Sequence, residues 1–83
     1  MQFLNGKRVL VVGLARSGVS AAILLARLGA DVTVNDAKPA DALAEGLNRL
    51  PTSVKTVCGS HPDVLYTTAD LIVVSPGVPD DLP

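Results

Sequence analysis

The stretch Gly13-Leu14-Ala15-Arg16-Ser17-Gly18 follows directly on the apolar run Val9-Leu10-Val11-Val12 and leads into a helical pattern. A strand that turns at a glycine and restarts as a helix leaves its first helical N–H groups without intrahelical partners. Those donors, here from Ala15, Arg16, Ser17 and Gly18, combine with the positive end of the helix dipole to favour an anion such as phosphate. Gly13 is expected where the chain reverses sharply, and Gly18 where the helix comes close to a neighbouring strand. The spacing is Gly-x-Ala-x-x-Gly, so Ala15 stands where the dinucleotide fingerprint has the glycine that admits a pyrophosphate. Arg16 either adds a guanidinium to the phosphate field or lies along the surface. Ser17 either binds phosphate through N–H or Oγ, or caps the helix.

Asp36 lies 18 residues after Gly18, close to the roughly 20 at which an acidic side chain meets a ribose hydroxyl in nucleotide-binding βαβ units. A solvated loop aspartate, or a cap for the segment that follows, is the alternative role. Ser75-Pro76-Gly77 ends a fourth apolar run and offers either a flat backbone wall for a planar base or an ordinary strand-ending turn. His61 has no companions for a metal site, and Cys58 at the end of an apolar strand reads as packing. No catalytic residue and no metal ligand set is expected. The phosphate loop Gly-x-x-x-x-Gly-Lys-Ser/Thr is absent from the sequence.

The elements that would position these residues alternate. Strands are expected at Arg8–Val12, Asp31–Asn35, Val54–Cys58 and Asp70–Val74. A helix from Ser17 to Leu28 carries Val19, Ala22, Ile23 and Ala26 on one face, and Gly29 ends it. A second helix, capped by Asp41 and bearing Leu43, Leu47 and Leu50, stops at Pro51. Ser60-x-x-Asp63, with Pro62 in the first turn, opens a short helical turn to Thr67. The alternation specifies an α/β, Rossmann-like open parallel sheet of order 3-2-1-4 with helices on both faces. Residues 1–83 form a single domain, expected to be part of a longer chain and to end where a fifth strand would join. Gly13, Asp36 and Ser75 then meet at the carboxyl rim, where open α/β sheets bind ligands.

Composition narrows the class. The 83 residues are 48% hydrophobic and 2% aromatic, which suits a core of Val, Leu, Ile and Ala. A net charge of −1 and no Trp argue against a nucleic-acid partner. No apolar run approaches the roughly 18 residues of a membrane span, and the first residues lack a signal-peptide pattern. A single cysteine fits a reducing, cytoplasmic setting.

Taken together, Lys7 to Gly18, Val34-Asn35-Asp36-Ala37-Lys38-Pro39, Cys58-Gly59-Ser60-His61-Pro62 and Ser75-Pro76-Gly77-Val78-Pro79 resemble the UDP-binding N-terminal domain of the MurD family of Mur ligases. The resemblance covers nearly the whole chain. It implies a cytoplasmic three-domain ligase that uses ATP and magnesium to join D-glutamate to UDP-N-acetylmuramoyl-L-alanine in peptidoglycan synthesis. An acyl-phosphate would form first, and the amine of D-glutamate would then attack it. By the same resemblance Arg16 and Ser17, with Gly13 and Gly18 around them, match the diphosphate loop. Asp36, Ala37 and Lys38 match the uracil-contacting segment, and Gly77, with Ser75 and Pro76, the opposite wall of the base slot. Ala37 and Lys38 stand where some members of the family have a hydroxyl residue and an arginine, so a contact at Ala37 would use backbone. ATP and magnesium would be held by a central domain and D-glutamate by a C-terminal one, leaving this chain without a cofactor and inactive alone. A NAD(P)-binding module of a dehydrogenase, or a regulatory nucleotide sensor, is the alternative reading. Asp36 favours it and Ala15 weakens it. A plain interaction domain with a vestigial site is a third.

Overall fold

The computed structural model describes residues 4–74. The chain runs β1 (Arg8–Val12), α1 (Arg16–Arg27), β2 (Asp31–Asp36), α2 (Ala44–Arg49), β3 (Lys55–Cys58), α3 (Asp63–Thr68) and β4 (Leu71–Val74). A 3-10 turn over Ala40–Leu43 precedes α2. The four strands form one sheet of order β3-β2-β1-β4, and every pairing is parallel. This is the expected α/β topology.

Alternation along the strands sorts the two faces. Val9 and Val11 of β1 and Val32 and Val34 of β2 pack with Val19 and Ala22 of α1, Leu14 and Val54. Leu43, Leu47 and Leu50 close this cluster from the α2 side. The opposite face carries Leu10 and Thr33, which line a cavity of about 230 Å³ with Leu65, Thr68 and Ala69 at α3. Leu10, Val9, Val11, Val32 and Val34 are almost fully buried, each contributing about 1.5–3 kcal/mol of apolar burial. The apolar run of β4 is less covered than its composition suggests. Leu71, Ile72 and Val74 are exposed, because β4 is an edge strand.

Helix ends depart from expectation in instructive ways. Helix α1 starts at Arg16 with Ala15 as its N-cap, so Ser17 lies inside the first turn and does not cap it. Asp41 does not cap α2. It sits within the 3-10 turn that Pro39 initiates, and Leu43 precedes α2 with no side-chain cap. Extended Pro39 supplies the carbonyl for the turn (Ala42 N–H to Pro39 O, 3.1 Å), which displaces the helix start past Asp41. Leu50, held extended by the Pro51 that follows, ends α2. Ser60 likewise does not cap α3. Pro62 is the N-cap, and the carbonyl of Ser60 is used by Asn35. At the start of β4, Asp70 forms a two-way link with β1. Arg8 N–H donates to Asp70 Oδ2 at 2.8 Å, and Asp70 N–H donates to Arg8 O at 2.7 Å.

The end of α1 is a Schellman motif. Ala30 N–H donates to Leu25 O and Gly29 N–H to Ala26 O, both at 3.1 Å, with Gly29 at φ 91°. A Cβ on Gly29 would also fall 2.6 Å from Asn5 Oδ1. Gly29→Ala is therefore expected to destabilise the fold by about 1 kcal/mol or more in urea unfolding, and Gly29→Asn by less. Equal stability of all three proteins would contradict this account of the turn.

Candidate functional site

Register aligns the strand ends. Val12 pairs with Asn35 on one side and Val74 on the other, so Gly13, just past β1, and Asp36, the last residue of β2, stand at one level of the rim. Gly13 has φ 97°, a left-handed conformation that turns the chain off β1 toward α1. Its N–H still donates to the Asn35 carbonyl at 2.8 Å, extending the ladder one step beyond the strand. Both Gly13 and Gly18 are buried, and Arg16 is exposed at the first position of α1. No acidic residue lies in the first turn of α1, so its own sequence leaves the positive end of the dipole unneutralised.

Asp36 binds the two halves of the rim. Its Oδ2 accepts the Leu14 N–H at 2.8 Å, and its Oδ1 accepts the Lys38 N–H at 2.9 Å. The second bond is an Asx turn that shapes residues 36–38, and the first fixes that turn against the glycine loop. An ionised carboxylate has about four acceptor sites, so these two bonds leave Asp36 able to accept from a ligand. Ala37 and Lys38 are exposed beside it. The structure thus brings Gly13, Arg16, Ser17 and Gly18 together with Asp36, Ala37 and Lys38. Ser75, Pro76 and Gly77 lie outside the described residues.

Behind the rim is a polar network that sequence reasoning missed. Asn35 is fully buried. Its Nδ2 donates to Val57 O at 2.8 Å and Ser60 O at 2.7 Å. Those two acceptors fix the amide orientation, so Oδ1 receives Tyr66 OH at 3.2 Å and His61 Nδ1 at 2.6 Å. His61 must therefore carry a proton on Nδ1, and its role is to anchor the loop after β3. The signal was present in β2, where Thr33 and Asn35 form the polar phase of Val32-Thr33-Val34-Asn35. Cys58, paired with Asp36 in register, is half-buried rather than a core residue. Burial first, and then the Asp36 charge, raise its thiol pKa, which disfavours a thiolate nucleophile. Among the described residues no three His, Cys, Asp or Glu side chains gather as a metal site.

Because Asn35 satisfies two carbonyls and two donors in the interior, Asn35→Ala is expected to cost about 2 kcal/mol or more in urea unfolding. A change under about 0.5 kcal/mol would show that solvent replaces these bonds without loss.

Comparison with known proteins is consistent across relatives. The UDP-N-acetylmuramoylalanine–D-glutamate ligase of Listeria monocytogenes serotype 4b is 45% identical over 84 aligned residues, covering 100% of this chain and 18% of that protein. The ligase of the same name from Geobacillus kaustophilus is 48% identical over 79 residues, covering 94% of this chain and 18% of the relative. That from Anaeromyxobacter dehalogenans is 55% identical over 76 residues, 92% of this chain and 16% of the relative. The chain thus spans less than a fifth of the length of these relatives. Residues 7–83 match the family model described as "Mur ligase MurD-like, N-terminal domain". With the glycine loop, the Asp36 turn and the 3-2-1-4 sheet in place, the chain belongs to the MurD-like N-terminal domain family of the Mur ligases.

Proposed function

We propose that this domain holds the uridine-diphosphate end of UDP-N-acetylmuramoyl-L-alanine for an ATP-dependent ligase that adds D-glutamate. The observation that carries the reading is the Asp36 carboxylate, which ties the glycine loop at Leu14 to the turn at Lys38. The first turn of α1 and the turn at 36–38 are thereby held side by side on one rim, which supports a site for a nucleoside diphosphate there. In this reading the backbone around Gly13, Arg16, Ser17 and Gly18 receives the diphosphate, with the Arg16 charge beside it. Asp36, Ala37 and Lys38 receive the nucleoside, and Ser75, Pro76 and Gly77 form the far wall.

The relatives' name, and their much greater length, support assigning the remaining chemistry to other domains of the same protein. ATP with magnesium would form the acyl-phosphate in a central domain, and D-glutamate would enter from a C-terminal one. Such an enzyme would work in the cytoplasm on peptidoglycan precursors, in support of cell shape and division. Among the described residues no helix is long and apolar enough to cross a membrane. This chain by itself is expected to catalyse nothing. Incubated with UDP-N-acetylmuramoyl-L-alanine, D-glutamate and ATP, it should release no phosphate above blank, and steady release would contradict the division of labour.

Binding to the chain separates this reading from a NAD(P) module. UDP should bind more tightly than NAD, because Ala15 narrows the path of a dinucleotide pyrophosphate. A dissociation constant near millimolar, about −4 kcal/mol, is expected for a ligand that meets one domain of several. Arg16→Ala should weaken UDP but not uridine, and the difference should shrink as salt rises. Asp36→Asn removes one of two acceptors from the rim and should weaken UDP and uridine alike, by about tenfold. Amide shifts during NMR titration report all of these. NAD shifting residues 13–18 and 36–38 at lower concentration than UDP would overturn the ligase reading.

A further inference from the structure

The two edges of the sheet are built differently. At one edge β3 starts with Lys55, whose side chain is 70% exposed, followed by exposed Thr56. A lysine on an edge strand discourages pairing with another chain, because its charge would have to be buried or opposed. At the other edge β4 reads Leu71-Ile72-Val73-Val74, with no polar residue. Leu71, Ile72 and Val74 are 44%, 43% and 63% exposed. The nearest charge, Asp70, is already compensated by Arg8 at 3.9 Å.

The hydrogen-bond phase of β4 shows what its open side offers. Asp70 N–H donates to Arg8 O at 2.7 Å, so along this parallel ladder Asp70, Ile72 and Val74 turn their main-chain groups toward β1. Leu71 and Val73 turn theirs outward, and among the described residues no strand pairs with that side. The side chains alternate in the same way. Val73 packs on the α1-side core, and Ile72, in register with Leu10, lies on the α3 side. The amino end of β4 opens on a hollow of about 320 Å³ lined by Leu4, Lys7, Asp70 and Leu71.

We propose that β4 is a self-association edge, at which a second copy of this chain adds its own β4 antiparallel to the first. A two-fold axis normal to the sheet through Ile72 sets Ile72 against Ile72 of the second copy. It also sets Leu71 against Val73 of that copy. These are the residues whose N–H and C=O groups point outward, so each such pair exchanges both of its hydrogen bonds. The axis carries the α1 face of one copy into the α1 face of the other, so every cross-strand pair within 71–73 is apolar and no like charges meet. The carboxyl end of the partner strand arrives at the hollow beside Asp70. The same operation at β3 would bring two exposed Lys55 side chains to the contact, and this selects β4. A four-residue strand buries less than the roughly 1,200 Å² of the smaller stable interfaces, so a dissociation constant on the order of 0.1–1 mM is expected.

Sedimentation equilibrium of the chain, run from well below to well above that constant, is expected to follow a monomer–dimer equilibrium. Ile72→Lys and Ile72→Glu should each weaken dimerisation by about tenfold or more, because the axis sets like charges face to face. An equimolar mixture of the two variants should dimerise again. A monomer at every concentration, growth past the dimer, full dimerisation of either single variant or a mixture that stays monomeric would each overturn the proposal. Amide exchange reads the same ladder without any substitution. The Leu71 and Val73 amides should gain protection severalfold as concentration rises, while those of Ile72 and Val74, bonded to β1, stay protected throughout. Protection of Leu71 and Val73 at every concentration would mean that the same chain already covers the edge, and no gain at any concentration would mean that nothing does. Either result would contradict pairing through β4.

Discussion

A carboxylate that accepts backbone N–H groups from two different loops sets the distance between those loops, and at the rim of this sheet Asp36 has that position. Its bonds to Leu14 and Lys38 join the loop leaving β1 to the turn leaving β2. The neighbouring bond from Gly13 N–H to the Asn35 carbonyl holds the same two segments through the main chain. Each bond is worth on the order of 1 kcal/mol net, and more where the acceptor is charged. Their larger consequence is geometric. Neither loop moves without breaking a contact to the other, so the first turn of α1 and the turn at 36–38 form one preorganised surface.

This surface rests on the layer beneath it. The aliphatic phase of β1 and β2 fixes α1 over one face, which aims the first turn of α1 at the carboxyl edge. The polar phase of β2 ends in Asn35, whose amide reaches across to β3 and the loop beyond it. His61 and Tyr66 complete that amide from the α3 side. Apolar packing on one face and a satisfied polar network on the other thus hold the end of β2 from both directions. A buried network of this kind favours one arrangement over nearby alternatives, since any displacement would strand several polar groups.

Much of this was legible in the residues because it depends on local pattern. Val-rich runs, a glycine at each sharp turn and the βαβ alternation specified the sheet order, and Gly13 and Gly29 take the positive φ their positions implied. The failures share a cause. Asp41, Ser17 and Ser60 were each a good cap on paper, yet extended Pro39, Ala15 and Pro62 occupy the capping positions. Capping chemistry is local, but where a helix begins is decided by the chain that leads into it. The Asn35 network was harder to foresee, because its partners lie 22 to 31 residues away and no local pattern joins them.

The Asp36 link makes that residue the organiser of the rim, and in the function proposed above it also accepts from a nucleoside. The most direct measurement is a crystal structure of this chain with UDP bound. The account predicts the diphosphate over residues 15–18, uracil or ribose against residues 36–38, and Asp36 Oδ2 still accepting the Leu14 N–H. A nucleotide bound elsewhere, or bound at the rim with Asp36 turned away from Leu14, would contradict it.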